Sequence, residues 1–157
     1  MTFGRSKGVT LIEMMIVVAI VGLIAGISFP AVSAGIESIR LSTASDSIAS
    51  FLNAALNRAE RREQVVEIEI LPKRGTLTLR SLEPGFERSL EMPQGVVIET
   101  IWPKLDAPAD APRRLILMPG NTPPRIGIQI ANQRGARRIV RVDPITGVPQ
   151  IEVVETK

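Results

Sequence analysis

Residues 14–36 carry no charged side chain, and the stretch MMIVVAIVGLIAGI at their start is almost purely aliphatic. A helix rises 1.5 Å per residue, so about 20 residues cross a hydrocarbon core about 30 Å thick. The stretch is long enough to span a membrane, although Ser28, Pro30 and Ser33 make its far end less apolar. Arg5 and Lys7 precede it, and the first charge after it is Glu37. The positive-inside rule then puts residues 1–8 in the cytoplasm and the remainder on the other side.

Three readings fit this segment. In one it is a secretory signal peptide, with Ala31-Val32-Ser33-Ala34 offering small residues for a cut. In the second it is a plain signal anchor. The third accounts for Glu13, a carboxylate at the start of the apolar run. An acidic side chain inside a membrane costs about 2.5–3.5 kcal/mol on insertion scales and is normally paired. No Lys or Arg shares the helix face of Glu13 within two turns. Its partner is then an α-amino group created by a cut, or a group on another subunit.

The 157 residues amount to one domain plus an anchor. The chain has no Cys and no His. The first absence excludes disulfides, thiol redox chemistry and Cys-based zinc sites; the second excludes a Ser-His-Asp triad and the commonest general base near neutral pH. Composition leaves a carboxylate-only hydrolase open, but no spacing among the Asp and Glu residues marks a catalytic pair. Asp143 is a lone carboxylate in a turn, where calcium needs six to eight oxygens. No catalytic residue, cofactor or metal is expected. Beyond residue 62 there are thirteen basic and twelve acidic residues, so the net charge of +3 is no argument for a nucleic-acid partner.

From Ala31 to Arg62 the pattern is helical. Leu41, Ala44, Ile48, Phe51 or Leu52, Ala55, Leu56 and Ala59 recur at spacings of three and four, with polar residues on the rest of the surface. After Glu63 the period changes to two. Val66, Ile68 and Ile70 alternate with Glu67 and Glu69, and Leu77 and Leu79 with Thr76, Thr78 and Arg80, joined by a turn at Pro72-Lys73-Arg74-Gly75. Further strands are expected at 87–92, 96–102, 114–118, 125–131, 137–142 and 150–154, with Gly or Pro in every gap. One long helix followed by eight short strands predicts an α+β chain with an antiparallel β head in two sheets. The expected divisions are residues 1–8 as leader, 9–36 as membrane helix, 37–62 as amphipathic helix and 63–157 as β head.

Gly8-Val9-Thr10-Leu11-Ile12-Glu13, followed by the aliphatic run, resembles the class III signal of type IV pilins and type II secretion pseudopilins. The resemblance implies a prepilin peptidase cut between Gly8 and Val9 on the cytoplasmic side, and methylation of the new N-terminus at Val9. It makes Glu13 the fifth residue after the cut, where the family uses a glutamate to neutralise the N-terminal amine of a neighbouring subunit in a filament. Val9 departs from the Phe or Met that is usual there. Pro30 stands where pilins commonly carry a helix-breaking proline, and a proline inside a helix kinks or melts it.

The β head after the helix, and the segment Ala54–Gln64 at the helix end, resemble the GspH/FimT group of minor pseudopilins and pilins. The partners implied are the prepilin peptidase, other pilins or pseudopilins in a filament, an inner-membrane assembly platform, and membrane lipid before assembly. The implied place is the inner membrane, single-pass, with a periplasmic head and later a periplasmic filament. The chain is then an enzyme's substrate and a structural subunit. The FimT resemblance carries an alternative, DNA binding for uptake through Arg134, Arg137, Arg138 and Arg141. The group's Gly-Arg-x-Arg pattern is not matched, since this chain reads Gly135-Ala136-Arg137-Arg138. Along a strand Arg137 and Arg141 share one face, and Arg138 faces the other way with Val140 and Val142.

Overall fold

The computed structural model describes residues 9–81, 85–106, 108 and 110–154, without the side chains of Pro30 and Ala31. The leader expected at residues 1–8, with Gly8, lies outside the described residues. The elements are a helix, α1 (Leu11–Arg62), and eight strands: β1 (Val66–Leu71), β2 (Thr76–Ser81), β3 (Glu87–Glu91), β4 (Val96–Trp102), β5 (Arg113–Leu117), β6 (Gly127–Asn132), β7 (Arg137–Val142) and β8 (Pro149–Val154). The α+β class read from the change of period is the observed one, and each expected strand is present.

The chain divides into two units, the first ending at Ile36 and the second starting at Glu37. In the first, α1 exposes its apolar side chains, Leu11 at 82% and Ile27 at 68% of their surface. This is the one described helix long and apolar enough to cross a membrane, and none of its most apolar window is buried. Residue 30 is helical and α1 continues on both sides of it, so Pro30 does not melt the helix. One turn later Ser33 Oγ donates to the Phe29 carbonyl at 3.0 Å.

In the second unit, the Glu37–Arg62 part of α1 packs on two four-stranded antiparallel sheets, ordered β3-β2-β1-β5 and β4-β6-β7-β8. Consecutive strands form the hairpins β1–β2, β2–β3, β6–β7 and β7–β8. Between them the chain changes sheet. β4 joins the second sheet through β6, and β5 returns to the first to pair with β1.

The helix stripe predicted by the 3.6 period is the buried one: Leu41, Ala44, Ile48, Phe51, Leu52, Ala55 and Ala59. Leu56 is partly buried against the same core. The first sheet adds Val66, Ile68, Ile70, Leu77 and Leu79, and the second Ile98, Ile101, Ile128, Ile130, Val140 and Val142. Burying each such side chain contributes about 1.5–3 kcal/mol relative to exposure. The turn after β1 is a short 3-10 helix, Pro72–Arg74, closed by Gly75 in the left-handed region at φ 61°. Glycine adopts that conformation without the Cβ clash other residues incur.

The outer face of the first sheet is charged. Arg114 on β5 lies 3.1 Å from Glu69 on β1, and Arg80 on β2 lies 3.2 Å from Glu87 on β3. Opposite charges on neighbouring strands favour this pairing, and the charged edge strand β3 resists adding a further strand.

Candidate functional site

The helix start is the first candidate. Val9 is exposed, and α1 begins two residues later. Thr10 is the residue before the helix, and its Oγ1 accepts a hydrogen bond from the Glu13 N–H at 3.3 Å. The Thr10 carbonyl accepts from Met14 N–H at 3.2 Å. Thr10 is therefore the N-cap. Thr and Glu three residues apart have the spacing of a capping box. Sequence reasoning missed this second role of Thr10-Leu11-Ile12-Glu13, although the spacing was in plain view. Glu13 in the first turn also faces the positive end of the helix dipole.

The arginines form the second candidate, and each has a partner inside the head. Arg134, in the turn between β6 and β7, has Nε 2.9 Å from Glu37 Oε2. Arg138 sits on the core face of β7, as alternation predicts. Its Nη1 donates to Ser42 Oγ at 3.1 Å and to Ser45 Oγ at 3.3 Å on α1. Ser45 is fully buried and donates in turn to the Ser42 carbonyl at 2.7 Å.

Arg137 and Arg141 point to the opposite face. Arg137 Nε donates to Glu99 Oε2 at 2.8 Å, and Gln129 Nε2 donates to the same oxygen at 2.7 Å. Glu99 occupies a bulge. The β4–β6 register shifts between Ile98 and Thr100, which leaves Glu99 without a partner of its own. The hydrogen bond from Arg137 holds the Glu99 carboxyl below its ordinary value against the opposing effect of burial, with Gln129 helping. The same bond raises Arg137 above the usual guanidinium range. Arg141 lies over the Trp102 ring at 5.5 Å and 3.9 Å from Glu152. Gly127 lies between the two side chains. A Cβ there would meet Trp102 Cε3 at 3.2 Å and Arg141 Cγ at 3.4 Å.

The structure thus brings Arg134, Arg137 and Arg138 together near the β6–β7 turn and leaves Arg141 at the other end of β7. A phosphate contact through the first three competes with bonds they already make.

A groove of about 480 Å³ opens elsewhere, between Asn53, Asn57 and Glu60 on α1, Ile116 on β5, Met118 just after it, and residues 146–148. Glu60 Oε1 is engaged there by Gly120 N–H at 3.2 Å. Among the described residues no group of His, Cys, Asp and Glu could hold a metal ion. Asp143 serves its own turn. Its Oδ1 accepts from Ile145 N–H at 2.8 Å and Thr146 N–H at 3.0 Å, and these backbone bonds lower its pKa.

No curated protein and no solved structure matches the chain. The prokaryotic N-terminal methylation motif matches residues 4–29. That match covers the Gly8–Glu13 segment and the exposed apolar part of α1, and it gives the chain the prepilin-type signal of type IV pilin-like proteins.

Proposed function

We propose that the chain is a minor pilin or pseudopilin of the GspH/FimT group, a structural subunit rather than an enzyme. A prepilin peptidase cuts it between Gly8 and Val9 and methylates Val9. The apolar part of α1 holds it in the inner membrane, with the β head in the periplasm. An assembly platform then draws it into the filament of a type II secretion system or a type IV pilus. The observation that carries this reading is the methylation motif over residues 4–29, continued by a helix whose apolar side chains are exposed.

Physical chemistry supports the assembly step. In a filament, apolar contact among helices replaces apolar contact with lipid, so extraction need expose little apolar surface to water. Glu13 supplies registry. A carboxylate in apolar surroundings needs a paired charge, and the new amine at Val9 of a neighbouring subunit is one. The two antiparallel four-stranded sheets directly after the helix support the placement in the GspH/FimT group.

The test is the intact mass of protein purified from membranes of a host that has its prepilin peptidase. Loss of residues 1–8 with gain of one methyl group is expected. A full-length mass would leave a plain membrane-anchored head. A cut near Ala34 would mean an exported soluble protein.

A further inference from the structure

The groove beside Glu60 lies wholly within the second unit, and its two walls differ in chemistry. On one side is β5. This strand pairs with β1 alone, so its other edge keeps backbone N–H and C=O groups that no described strand takes up. Its last residues, Leu115-Ile116-Leu117, have neither the charges that guard β3 nor a bulge like that of β4. An unguarded edge of this kind is a template for a further strand. Ile116, Met118 and Val148, all lining the groove, are each more than half exposed.

On the other side is α1, with Asn53, Asn57 and Glu60 at spacings of four and three on one face. Asn57 Nδ2 donates to the Asn53 carbonyl and to Asn53 Oδ1, both at 2.9 Å. That leaves Asn53 Nδ2 as a donor and Asn57 Oδ1 as an acceptor, a pair that a peptide group answers with its own C=O and N–H. Glu60 is the one charge among the described residues that line the groove. Its Oε1 accepts from Gly120 N–H, which leaves Oε2 for a cation.

We propose that this groove binds an extended segment of another protein, added as a strand to the free edge of β5. Main-chain hydrogen bonds to β5 supply affinity, and Asn53 and Asn57 meet peptide groups from the helix side. Side chains of a strand alternate between two faces, so apolar residues at every second position continue the row of Ile116 and Met118. The positions between face α1. Charge complementarity puts a lysine or arginine at one of them, opposite Glu60.

The test presents the full chain in lipid nanodiscs to a displayed library of random peptides about seven residues long, within the range of strand lengths. Peptides with apolar residues at every second position and a lysine or arginine between them should be enriched over empty discs. A synthetic copy of an enriched peptide should bind the parent, and Met118→Asp should weaken it by at least about tenfold. Glu60→Gln keeps an oxygen for Gly120 N–H and should weaken it by up to about fivefold, the range of an exposed ion pair. Val97→Asp, at an exposed position of β4 outside the groove, should change nothing. Bound peptide should slow exchange of the β5 amides that β1 leaves unpaired by about tenfold or more. No enrichment over empty discs would leave the groove without a peptide ligand, and acidic or non-alternating peptides would contradict its chemistry. Parental affinity in Met118→Asp, or binding that leaves β5 exchange unchanged, would overturn strand addition. Slowing of the same amides without peptide, growing with protein concentration, would replace the other protein with a second copy of this chain.

Discussion

Arg137 Nε donates to Glu99 Oε2 at 2.8 Å, from β7 to the bulge in β4, across the intervening β6. Continued from Ile98 opposite Ile130, regular register would set Glu99 opposite Gln129 on the outer face; the bulge gives that place to Thr100, and the Glu99 carboxylate still lies among Arg137 and Gln129. Because the Arg137 bond lowers the folded-state pKa of Glu99, its contribution to stability is complete above the unfolded value of about 4.3 and disappears as pH falls through the lower folded value. Glu99→Gln should therefore unfold at a lower temperature than the parent at neutral pH. The gap between the two should be constant down to about pH 5 and close below about pH 4. Thermal unfolding of the full chain in detergent across that range measures it. A gap unchanged at low pH would remove Glu99 as the source.

Gly147 should tolerate no side chain. It sits at φ 70°, its N–H donates to the Asp143 carbonyl at 2.8 Å, and a Cβ would meet Pro123 Cγ at 3.3 Å. The left-handed region alone costs a non-glycine residue about 1–2 kcal/mol. Gly147→Ala should destabilise the head by at least about that much, read as a lower unfolding midpoint. Gly120→Ala is the control, with φ 71° but open space around its Cβ, and should cost less.

Phe51 is 1% exposed, at the centre of the helix stripe between the two sheets. Phe51→Ala should cost about 3–5 kcal/mol, a large share of the stability of a domain this size. The head should unfold at clearly lower denaturant concentration. Ser50→Ala, one residue away on the exposed face, should leave the midpoint nearly unchanged.

Hydrophobic period carried most of the fold. It marked Ile48 and Phe51 on α1 and Ile68 and Ile70 on β1 as core, and it put Arg138 on the face of Val140. Period says which side a residue faces and nothing about which strand lies next to it. The return of β5 to pair with β1 was therefore not legible, nor was the split of the hairpins between two sheets. The partners of the arginines were hidden for the same reason. Glu37 and Ser45 are about a hundred residues away from Arg134 and Arg138 in sequence. The bulge at Glu99 did leave a signal: Ile98 and Ile101 stand three apart with Glu99 and Thr100 between them, which breaks the period of two. Pro30 shows a different limit. Of the two outcomes a proline brings, a kink or a melted helix, the melted one is absent: residue 30 is helical and α1 runs on past it, although an interior proline costs about 3 kcal/mol.

Thr10 and Glu13 link the helix start to the assembly reading, and their roles separate by mutation. Thr10 Oγ1 accepts the Glu13 N–H at 3.3 Å, so Thr10→Ala should fray the first turn at a cost of about 1 kcal/mol, roughly a fivefold loss of amide protection at Glu13. Thr10→Ser restores the acceptor and should recover protection. Glu13→Ala leaves the cap acceptor in place and removes the carboxylate. It should insert into the membrane as well as the parent or better, because an acidic side chain is removed from apolar surroundings. It should nonetheless fail to enter filaments, as measured by the amount recovered in the sheared, pelleted fraction. Glu13→Ala found there at parental levels would remove the charge pair from assembly and leave the glutamate with its place in the helix cap alone.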